Sequence, residues 1–239
     1  MSERILGILW EGLGKIALAS IKVTIPLTII GFALAMVIAL VMAMVQYAKV
    51  PVLQQIARLY IWVFRGTPLL VQLFLAFYGL PKLGIVLNAF PCAVLVFSLN
   101  EGAYCAETMR AALEAVPVGQ LEAGACVGLS YLQIMRRIVL PQALRTAFPP
   151  LSNSLISMLK DTSLAAEITV ADMFMAAQKV VGRTYEPLWL YSEVALVYLF
   201  YSTILTILQR YFEKRLSAYN SRETAITTVA ADARKEVHS

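Results

Sequence analysis

The chain has 239 residues, of which 59% are hydrophobic and only 15% are charged, so it is too apolar to be an ordinary soluble domain. Its net charge is +5, but no interleaved array of basic and aromatic residues is present, which argues against nucleic acid as a partner. Composition therefore predicts a protein whose surroundings are membrane lipid.

The residues that metal or nucleotide chemistry needs are not found at the required spacings. Cys92, Cys105 and Cys126 form no C-x-x-C pair, and the single histidine, His238, lies near the carboxyl end. Gly14-Lys15 lacks the glycine that a phosphate-binding loop carries five positions earlier. We therefore expect no metal, no cofactor and no enzyme activity in this chain itself.

Charge-free apolar runs predict an all-α, polytopic membrane protein. The run from Val23 to Ala48 exceeds the ~20 residues that cross a bilayer, and we expect it to be an uncleaved helix. Later runs are shorter, so several must extend through a charged residue. Residues 1–220 would form the membrane domain, and the small, polar residues 221–239 a disordered cytoplasmic tail. The five predicted spans are Ile21–Gln46, Leu53–Leu80, Phe90–Leu113, Gln142–Val170 and Leu188–Tyr211.

Basic residues near the ends of the predicted spans indicate the orientation, because cytoplasmic loops carry an excess of Lys and Arg. An odd number of spans puts the two termini on opposite sides. With the amino terminus outside, the inner face receives most of the basic residues, and the carboxyl terminus is cytoplasmic. The outer face then receives Arg4, Lys15, Lys22, Lys82, Lys179 and Arg183.

A polar stretch between the third and fourth spans, EAGACVGLSYLQIMRRIVLP at Glu122–Pro141, predicts two short helices with a sharp bend. Gly128 can adopt the left-handed conformation that ends the first helix. Ser130 and Gln133 have the S-x-x-Q spacing of a capping box that starts the second. Pro141 either ends the second helix or opens the next one. On shape alone, a loop that merely connects two spans explains this stretch equally well.

The same stretch resembles the EAA loop of permease subunits of ATP-binding cassette importers. That loop has the pattern Glu-Ala-Ala, three residues, Gly, nine residues and Ile-x-Leu-Pro. The residues at matching positions are Glu122, Ala123, Gly124, Gly128, Ile138, Leu140 and Pro141. The resemblance implies that the segment is a cytoplasmic coupling helix that docks in a cleft of a separate ATPase subunit. Gly124 replaces the second Ala of the pattern, which predicts a helix softer by up to ~1 kcal/mol.

Three further stretches resemble the polar amino-acid uptake branch of these importers. They are FRGTPLLVQL at Phe64–Leu73, NEGAYCAETMRAALEAVPVGQLEA at Asn100–Ala123 and LKDTSLA at Leu159–Ala165. The resemblance implies a type I importer permease in the inner membrane, paired with a second permease as a homo- or heterodimer. It also implies ATPase partners and an extracytoplasmic amino-acid-binding protein. The alternative is a secondary transporter or membrane anchor subunit for another polar solute, acting without an ATPase.

Polar side chains at membrane depth mark the expected substrate route, because they are costly there unless they face the protein or water. Glu101 falls near the middle of the third span. It would be protonated, paired with Lys160 or Arg65, or available to a cationic group on the substrate. The substrate-binding candidates are Thr67, Asn100, Glu101, Tyr104, Asp161, Thr162 and Ser163.

Structural roles stay open for several of these residues. Asp161 is equally explained by a local pair with Lys160, and Asn100 and Tyr104 by interhelical hydrogen bonds. Pro68 predicts an interrupted second span that would expose the Thr67 hydroxyl and free backbone carbonyls to a substrate. The alternative there is a packed kink with Arg65 extending toward the inner face. A separate structural ion-pair ladder is predicted by the spacing of Glu107, Arg110 and Glu114.

Overall fold

The computed structural model describes residues 3–48 and 50–237, with side-chain surroundings described as far as residue 215. These ranges are helical and contain no strand. The expected tail at residues 221–239 lies outside the residues described with side chains and stays a prediction. The α-helices are α1 (Glu3–Ala19), α2 (Ile25–Tyr47), α3 (Pro51–Gly66), α4 (Leu69–Phe74), α5 (Ala89–Glu114), α6 (Val118–Cys126), α7 (Tyr131–Ile134), α8 (Leu140–Asp161), α9 (Met173–Thr184) and α10 (Pro187–Val237).

The first membrane helix is longer than predicted. A π-helical turn at Ser20–Thr24 joins α1 to α2, so that Glu3–Tyr47 forms one helical run of 45 residues. The prediction of a start at Ile21 was wrong because the charge of Lys22 ends the apolar run but not the helix. Lys22 is exposed, and farther back Glu11 and Lys15 pair with each other one turn apart, so the helix continues through all three charges.

The second predicted span is broken, as Pro68 indicated. α3 ends before Thr67, and the following run Leu69–Leu83 turns away from α3 by 104°. The chain then reverses at Gly84, whose φ of +83° favours glycine. The predicted interruption is therefore confirmed, and it divides the span into two separately directed segments.

The helix α5 lies at the centre of the bundle, where it packs against α2, α3 and α8. Its bounds differ from the predicted Phe90–Leu113 by one residue at each end. The predicted ion-pair ladder is confirmed near its carboxyl end, where Arg110 pairs with both Glu107 and Glu114. A central helix with a charged carboxyl end therefore connects the membrane bundle to the coupling segment that follows.

The fourth predicted span, Gln142–Val170, ends too late. The α-helix stops at Asp161 and tightens into a 3-10 helix over Thr162–Ile168. Thr169 then adopts φ 66°, a left-handed conformation that is unusual for a β-branched residue and ends the run. The side chains of Thr162 and Ser163 bond to the preceding turn and favour this tightening. Hydropathy summed over the whole span does not show such local bonds.

A further helix, α9, was not anticipated. Asp172 caps it, since its Oδ1 accepts a hydrogen bond of 2.8 Å from the amide of Met175. The Tyr198 hydroxyl of α10 donates to the other carboxylate oxygen at 3.3 Å. The amide of Met173 donates to Thr24 Oγ1 at 3.1 Å. A buried polar network thus ties the start of α9 to Thr24 in the first helical run and to Tyr198 of α10. An aspartate before an apolar run was the signal for this helix.

The number of membrane crossings stays a prediction. Among the described residues, three helices are long and apolar enough to cross, and the bent pair Pro51–Gly66 and Leu69–Leu83 would make a fourth. α8, which corresponds to the fourth predicted span, contains Pro149 and Pro150 and does not meet the same criterion. The all-α, multi-pass architecture is confirmed, whereas the count of five is not tested.

Small residues form the contact between α2 and α5. Gly31, Ala35, Ala39 and Ala43 recur every fourth residue on one face of α2 and are buried. Helices in a membrane gain little from burying apolar surface, so close backbone approach over small residues is what holds them together. Ser98 of α5 donates across this contact to the Gly31 carbonyl at 3.2 Å. We call these four α2 residues the small-residue seam.

Enlarging one residue of the small-residue seam should destabilise the bundle. Ala39 is fully buried in the core, so Ala39→Leu should cost about 1–3 kcal/mol of stability through overpacking. Val41 lies on the same helix but is 52% exposed, so Val41→Leu is the matched control. Thermal unfolding in detergent micelles measures the difference. Equal unfolding midpoints for the two variants would contradict the close contact of α2 with α5.

Candidate functional site

A polar cavity of about 740 Å³ lies among the α3–α4 break, α5 and α8. We call it the Glu101 cavity. Five of the predicted substrate residues line it together, although they come from three separate stretches of sequence. They are Thr67, Asn100, Glu101, Tyr104 and Asp161. The fold thus brings most of the predicted set to one place.

Thr162 and Ser163 do not line this cavity. Thr162 is fully buried, and its Oγ1 donates to the Leu159 carbonyl at 2.7 Å. Ser163 Oγ donates to the Lys160 carbonyl at 2.9 Å. Both hydroxyls bond to the turn that ends α8, and a substrate role for these two residues stays a prediction.

Hydrogen bonds from two side chains hold the break in the second span. Gln72 Nε2 lies 2.9 Å from the Phe64 carbonyl, 3.1 Å from the Thr67 carbonyl and 2.8 Å from Thr67 Oγ1. Asn100 Nδ2 donates to the Phe64 carbonyl at 3.2 Å and to Gln72 Oε1 at 3.0 Å. Pro68 has no N–H to donate to the Phe64 carbonyl one turn back, and the side chains of Gln72 and Asn100 supply donors to that carbonyl instead. The interhelical alternative for Asn100 is confirmed, and Gln72 was missed.

Glu101 is nearly buried on α5, beside Asn100. Its Oε1 accepts a weak hydrogen bond of 3.6 Å from the Cys105 thiol one turn along the helix. The ion pairs of the described residues include none between Glu101 and either Lys160 or Arg65. Pairing of Glu101 with Lys160 or Arg65 is therefore not seen among the described residues, and protonation or a cationic ligand stays a prediction.

Arg65 and Asp161 are two further charged residues of the cavity wall. The Arg65 guanidinium lies 5.3 Å from the centre of the Tyr104 ring, a cation–π contact, instead of extending along the helix. The Tyr104 hydroxyl donates to the Arg65 carbonyl at 3.5 Å. Lys160 does not line the cavity, and no ion pair joins it to Asp161 among the described residues. The charge of Lys160 still acts on the Asp161 carboxylate, so a local pair stays an open alternative for Asp161.

The cavity wall has an excess of negative charge. Glu101, Glu107 and Asp161 face one basic side chain, Arg65. Glu107 is paired with Arg110 on its own helix, which leaves Glu101 and Asp161 without an ion-pair partner among the described residues. Such an arrangement suits a solute that carries positive groups.

The coupling segment has the predicted bend. α6 ends at Cys126, and Gly128 follows with φ +79°. The capping box is present in both directions: the Ser130 amide donates to Gln133 Oε1 at 2.9 Å, and the Gln133 amide donates to Ser130 Oγ at 3.4 Å. These three residues were correctly interpreted from the sequence.

Gly124 has a packing role that differs from the expected softening. A Cβ atom there would lie 3.0 Å from Ile134 Cγ1 and 3.1 Å from Ile138 Cδ1. The absence of a side chain lets α6 pack closely on the segment that follows. A π-helical turn at Met135–Val139 leads directly into α8, so Pro141 lies in the first turn of that helix. Of the two alternatives for Pro141, the opening of the next helix is confirmed.

The surface of the coupling segment that faces away from the helix bundle is exposed. Glu122 and Ala123 are exposed, while Ile138 and Leu140 pack against the core. Large apolar side chains also remain uncovered on this side, with 75% of Val127 and 75% of Leu132 exposed. Among the motif residues, Gly124, Ile138 and Leu140 therefore pack inside the protein, whereas Glu122, Ala123 and Gly128 lie on an exposed surface that is free for a partner.

Loss of Gln72 should destabilise the break in the second span. Gln72→Leu leaves the carbonyls of Phe64 and Thr67 short of donors, which should cost about 1–3 kcal/mol. Gln55 lies on the exposed face of α3, so Gln55→Leu is the matched control. Thermal unfolding in micelles reports the difference. A Gln72→Leu variant as stable as the control would show that the break does not depend on this side chain.

Comparison with known proteins gives a consistent result. Residues 34–218 match the family described as binding-protein-dependent transport system inner membrane component. The L-cystine transport system permease protein TcyB of Bacillus subtilis is 45% identical over 197 residues, which are 82% of this chain and 84% of the relative. The arginine transport system permease protein ArgU of Corynebacterium glutamicum is 36% identical over 231 residues, 91% of this chain and 73% of the relative.

Comparison with solved structures supports the same family of transport proteins. A crystal structure of an amino acid ABC transporter with histidines has a TM-score of 0.83 and 31% identity, and the match covers 90% of this chain and 100% of that one. An inward-facing MetNI methionine ABC transporter has a TM-score of 0.69 at 17% identity, covering 90% and 99%, and shows the fold alone. The architecture is thus the type I importer permease fold. The comparisons give no support to a secondary transporter or membrane anchor.

Family membership implies two kinds of partner, an ATPase subunit and a solute-binding protein, and a location in the inner membrane. It also makes the chain a transporter subunit and not an enzyme. The coupling segment is the structural feature that the sequence resemblance had linked to this family, and the break in the second span lies in the stretch Phe64–Leu73 that carries part of the resemblance. The chain belongs to the family of inner-membrane components of binding-protein-dependent transport systems, and it is a permease subunit of an ATP-binding cassette importer.

Proposed function

We propose that this permease moves polar amino acids into the cytoplasm through the Glu101 cavity. The observation that carries the proposal is the convergence of Glu101 and Asp161, neither in an ion pair among the described residues, on one polar cavity within the membrane bundle. An α-amino acid carries an ammonium group that such carboxylates bind. Relatives named as L-cystine and arginine permeases support an amino acid as the solute.

The preferred substrates carry a second cationic group besides one α-ammonium. One carboxylate, Glu101 or Asp161, would bind the α-ammonium and the other the second group. A basic side chain provides such a group, and so does cystine, which has two α-ammonium groups. Arg65, held over Tyr104, remains available near the cavity for a carboxylate.

The exposed half of the coupling segment docks on the ATPase. Glu122 and Ala123 begin this surface, and Val127 and Leu132 supply apolar area for burial in a cleft. The orientation is amino terminus outside and carboxyl terminus cytoplasmic, since that choice puts most basic residues on the inner face. A second permease, identical or related, completes the pathway on the open side of the cavity, and an extracytoplasmic binding protein delivers the amino acid.

Reconstitution tests this function directly. The permease is placed in liposomes with its ATPase, and uptake of labelled L-arginine is measured with the binding protein present. Uptake should require ATP and both partners. Uptake driven by an ion gradient in liposomes that contain the permease alone would contradict the proposal.

Neutralising Glu101 should reduce transport selectively. Glu101→Gln keeps the size of the side chain but removes its charge, so uptake of L-arginine should fall about thirtyfold, which corresponds to ~2 kcal/mol, while a neutral amino acid is less affected. Glu167 is exposed and outside the cavity, which makes Glu167→Gln the matched control. Equal losses for basic and neutral amino acids would make Glu101 a structural residue, and no loss would remove it from the pathway.

Straining the bend should uncouple the permease from its ATPase. Gly128→Ala forces a side chain into a left-handed conformation, at a cost of about 1–2 kcal/mol. Substrate-stimulated ATP hydrolysis by the reconstituted complex should fall. Gly84→Ala is the matched control. Gly84 has a similar φ of +83° but precedes the amino-terminal end of α5, so the substitution introduces the same strain far from the coupling segment. If the two variants hydrolyse ATP equally well, the bend at Gly128 does not aim the docking surface.

A further inference from the structure

A second polar cavity, of about 440 Å³, lies where α2 and α5 end and α3 begins. We call it the coupling-end chamber, because α5 leads from it directly into the coupling segment. Its volume is within the range of small-molecule sites, roughly 300–1,000 Å³. The polar side chains that matter for its chemistry are Gln46, Arg58, Glu107, Arg110 and Glu114.

Gln46 is a buried amide that lacks a partner. The residue is 7% exposed, and its Nε2 has no hydrogen-bond partner within residues 3–48 and 50–215. Buried polar groups in proteins are almost always hydrogen-bonded, so an unsatisfied amide on a residue that lines a cavity is a candidate contact for a polar ligand. An amide N–H₂ group requires an acceptor such as a carboxylate.

The charges around Gln46 are arranged for a solute with both signs. Arg58 forms no ion pair among the described residues, so the chamber has an unneutralised cation next to the unsatisfied amide. On the α5 side, Arg110 takes up only one oxygen of each of its two partners, Glu107 Oε1 and Glu114 Oε2. The other oxygen of each carboxylate accepts no hydrogen bond among the described residues.

The chamber adjoins the Glu101 cavity. Glu107 lines both cavities, and it lies between Glu101 and Glu114 along α5. A solute that leaves the Glu101 cavity toward the coupling segment therefore meets the chamber next. This continuity favours the transported solute as the occupant over an unrelated anion.

We propose that the coupling-end chamber is a second amino-acid site, through which the solute passes on release. Gln46 and Arg58 bind the α-carboxylate, and the free oxygens of Glu107 and Glu114 bind the α-ammonium. The inference rests on the proposed amino-acid import. The chamber binds only the α-carboxylate and the α-ammonium, which all amino acids share. The Glu101 cavity also binds the side chain.

Trp62 gives a direct probe of the chamber, because its indole belongs to the lining. The other tryptophans, Trp10 and Trp189, are replaced by phenylalanine, and the permease is held in a complex with its ATPase in lipid nanodiscs without nucleotide. Any tryptophan of the ATPase is likewise replaced. L-Arginine, L-serine and an N-acetylated arginine amide are then titrated against the Trp62 emission.

The proposal predicts a saturable emission change with both L-arginine and L-serine, and none with the N-acetylated amide. Arg58→Gln should weaken the apparent affinity about tenfold or more. Gln46→Leu should abolish the response without lowering the unfolding midpoint, because it removes an unsatisfied buried amide. Glu101→Gln should leave the response to L-serine in place.

Three results would overturn the second site. They are no saturable response, a response that survives Gln46→Leu unchanged, and a response that Glu101→Gln abolishes. The first two results would mean that the chamber holds water or contacts the ATPase and does not bind an amino acid. The third would mean that the Trp62 emission responds to binding in the Glu101 cavity. Uptake separates the two proposals: a complex that imports amino acids but fails this test overturns the chamber alone, whereas a complex that imports none overturns the proposed function.

Discussion

A backbone break inside a membrane must be supplied with hydrogen-bond donors from the protein, because lipid offers none. In this permease Pro68 makes the break, and the amides of Gln72 and Asn100 supply the donors. Asn100 also ties the break to α5, so the same contact fixes the position of the neighbouring Glu101. Asn100, which stabilises the break, and Glu101, which lines the cavity, are neighbours on one turn of α5. The backbone break and the carboxylate are therefore held close together.

The small-residue seam between α2 and α5 holds that turn in place from the other side. Close packing over Ala39 and Ala43 makes α5 the fixed central helix of the bundle. At the far end of α5, glycines do two different things in the coupling segment. Gly128 provides the left-handed residue of the bend, and Gly124 allows close approach to Ile134. A movement of the segment by its ATPase would therefore be passed to α5 through rigid contacts.

The sequence was informative where a local rule decides the structure. The break at Pro68, the left-handed Gly128 and the capping box at Ser130 each follow from the chemistry of one or two residues, and each was predicted. Contacts that depend on the fold were not predictable in this way. Gln72 and Gly124 acquire their roles from residues on other segments, which no local pattern displays.

Boundaries were less reliable than motifs for a related reason. The charge of Lys22 ended the apolar run but not the helix, because its side chain is exposed and the earlier charges of Glu11 and Lys15 neutralise each other one turn apart. α8 stopped early because the Thr162 and Ser163 hydroxyls bond to its last turn. The same bonds hold both hydroxyls on that turn, away from the Glu101 cavity.

The central claim is that the Glu101 cavity is an aqueous route for the amino acid, and cysteine labelling tests it most directly. Ser157 lines the cavity, whereas Val41 faces outward from the bundle. In a chain whose native cysteines are replaced by alanine, Ser157→Cys should react with a membrane-impermeant thiol reagent, and L-arginine should protect it. Val41→Cys should not react. A Ser157→Cys variant that is unreactive, or that reacts equally with and without L-arginine, would contradict the account.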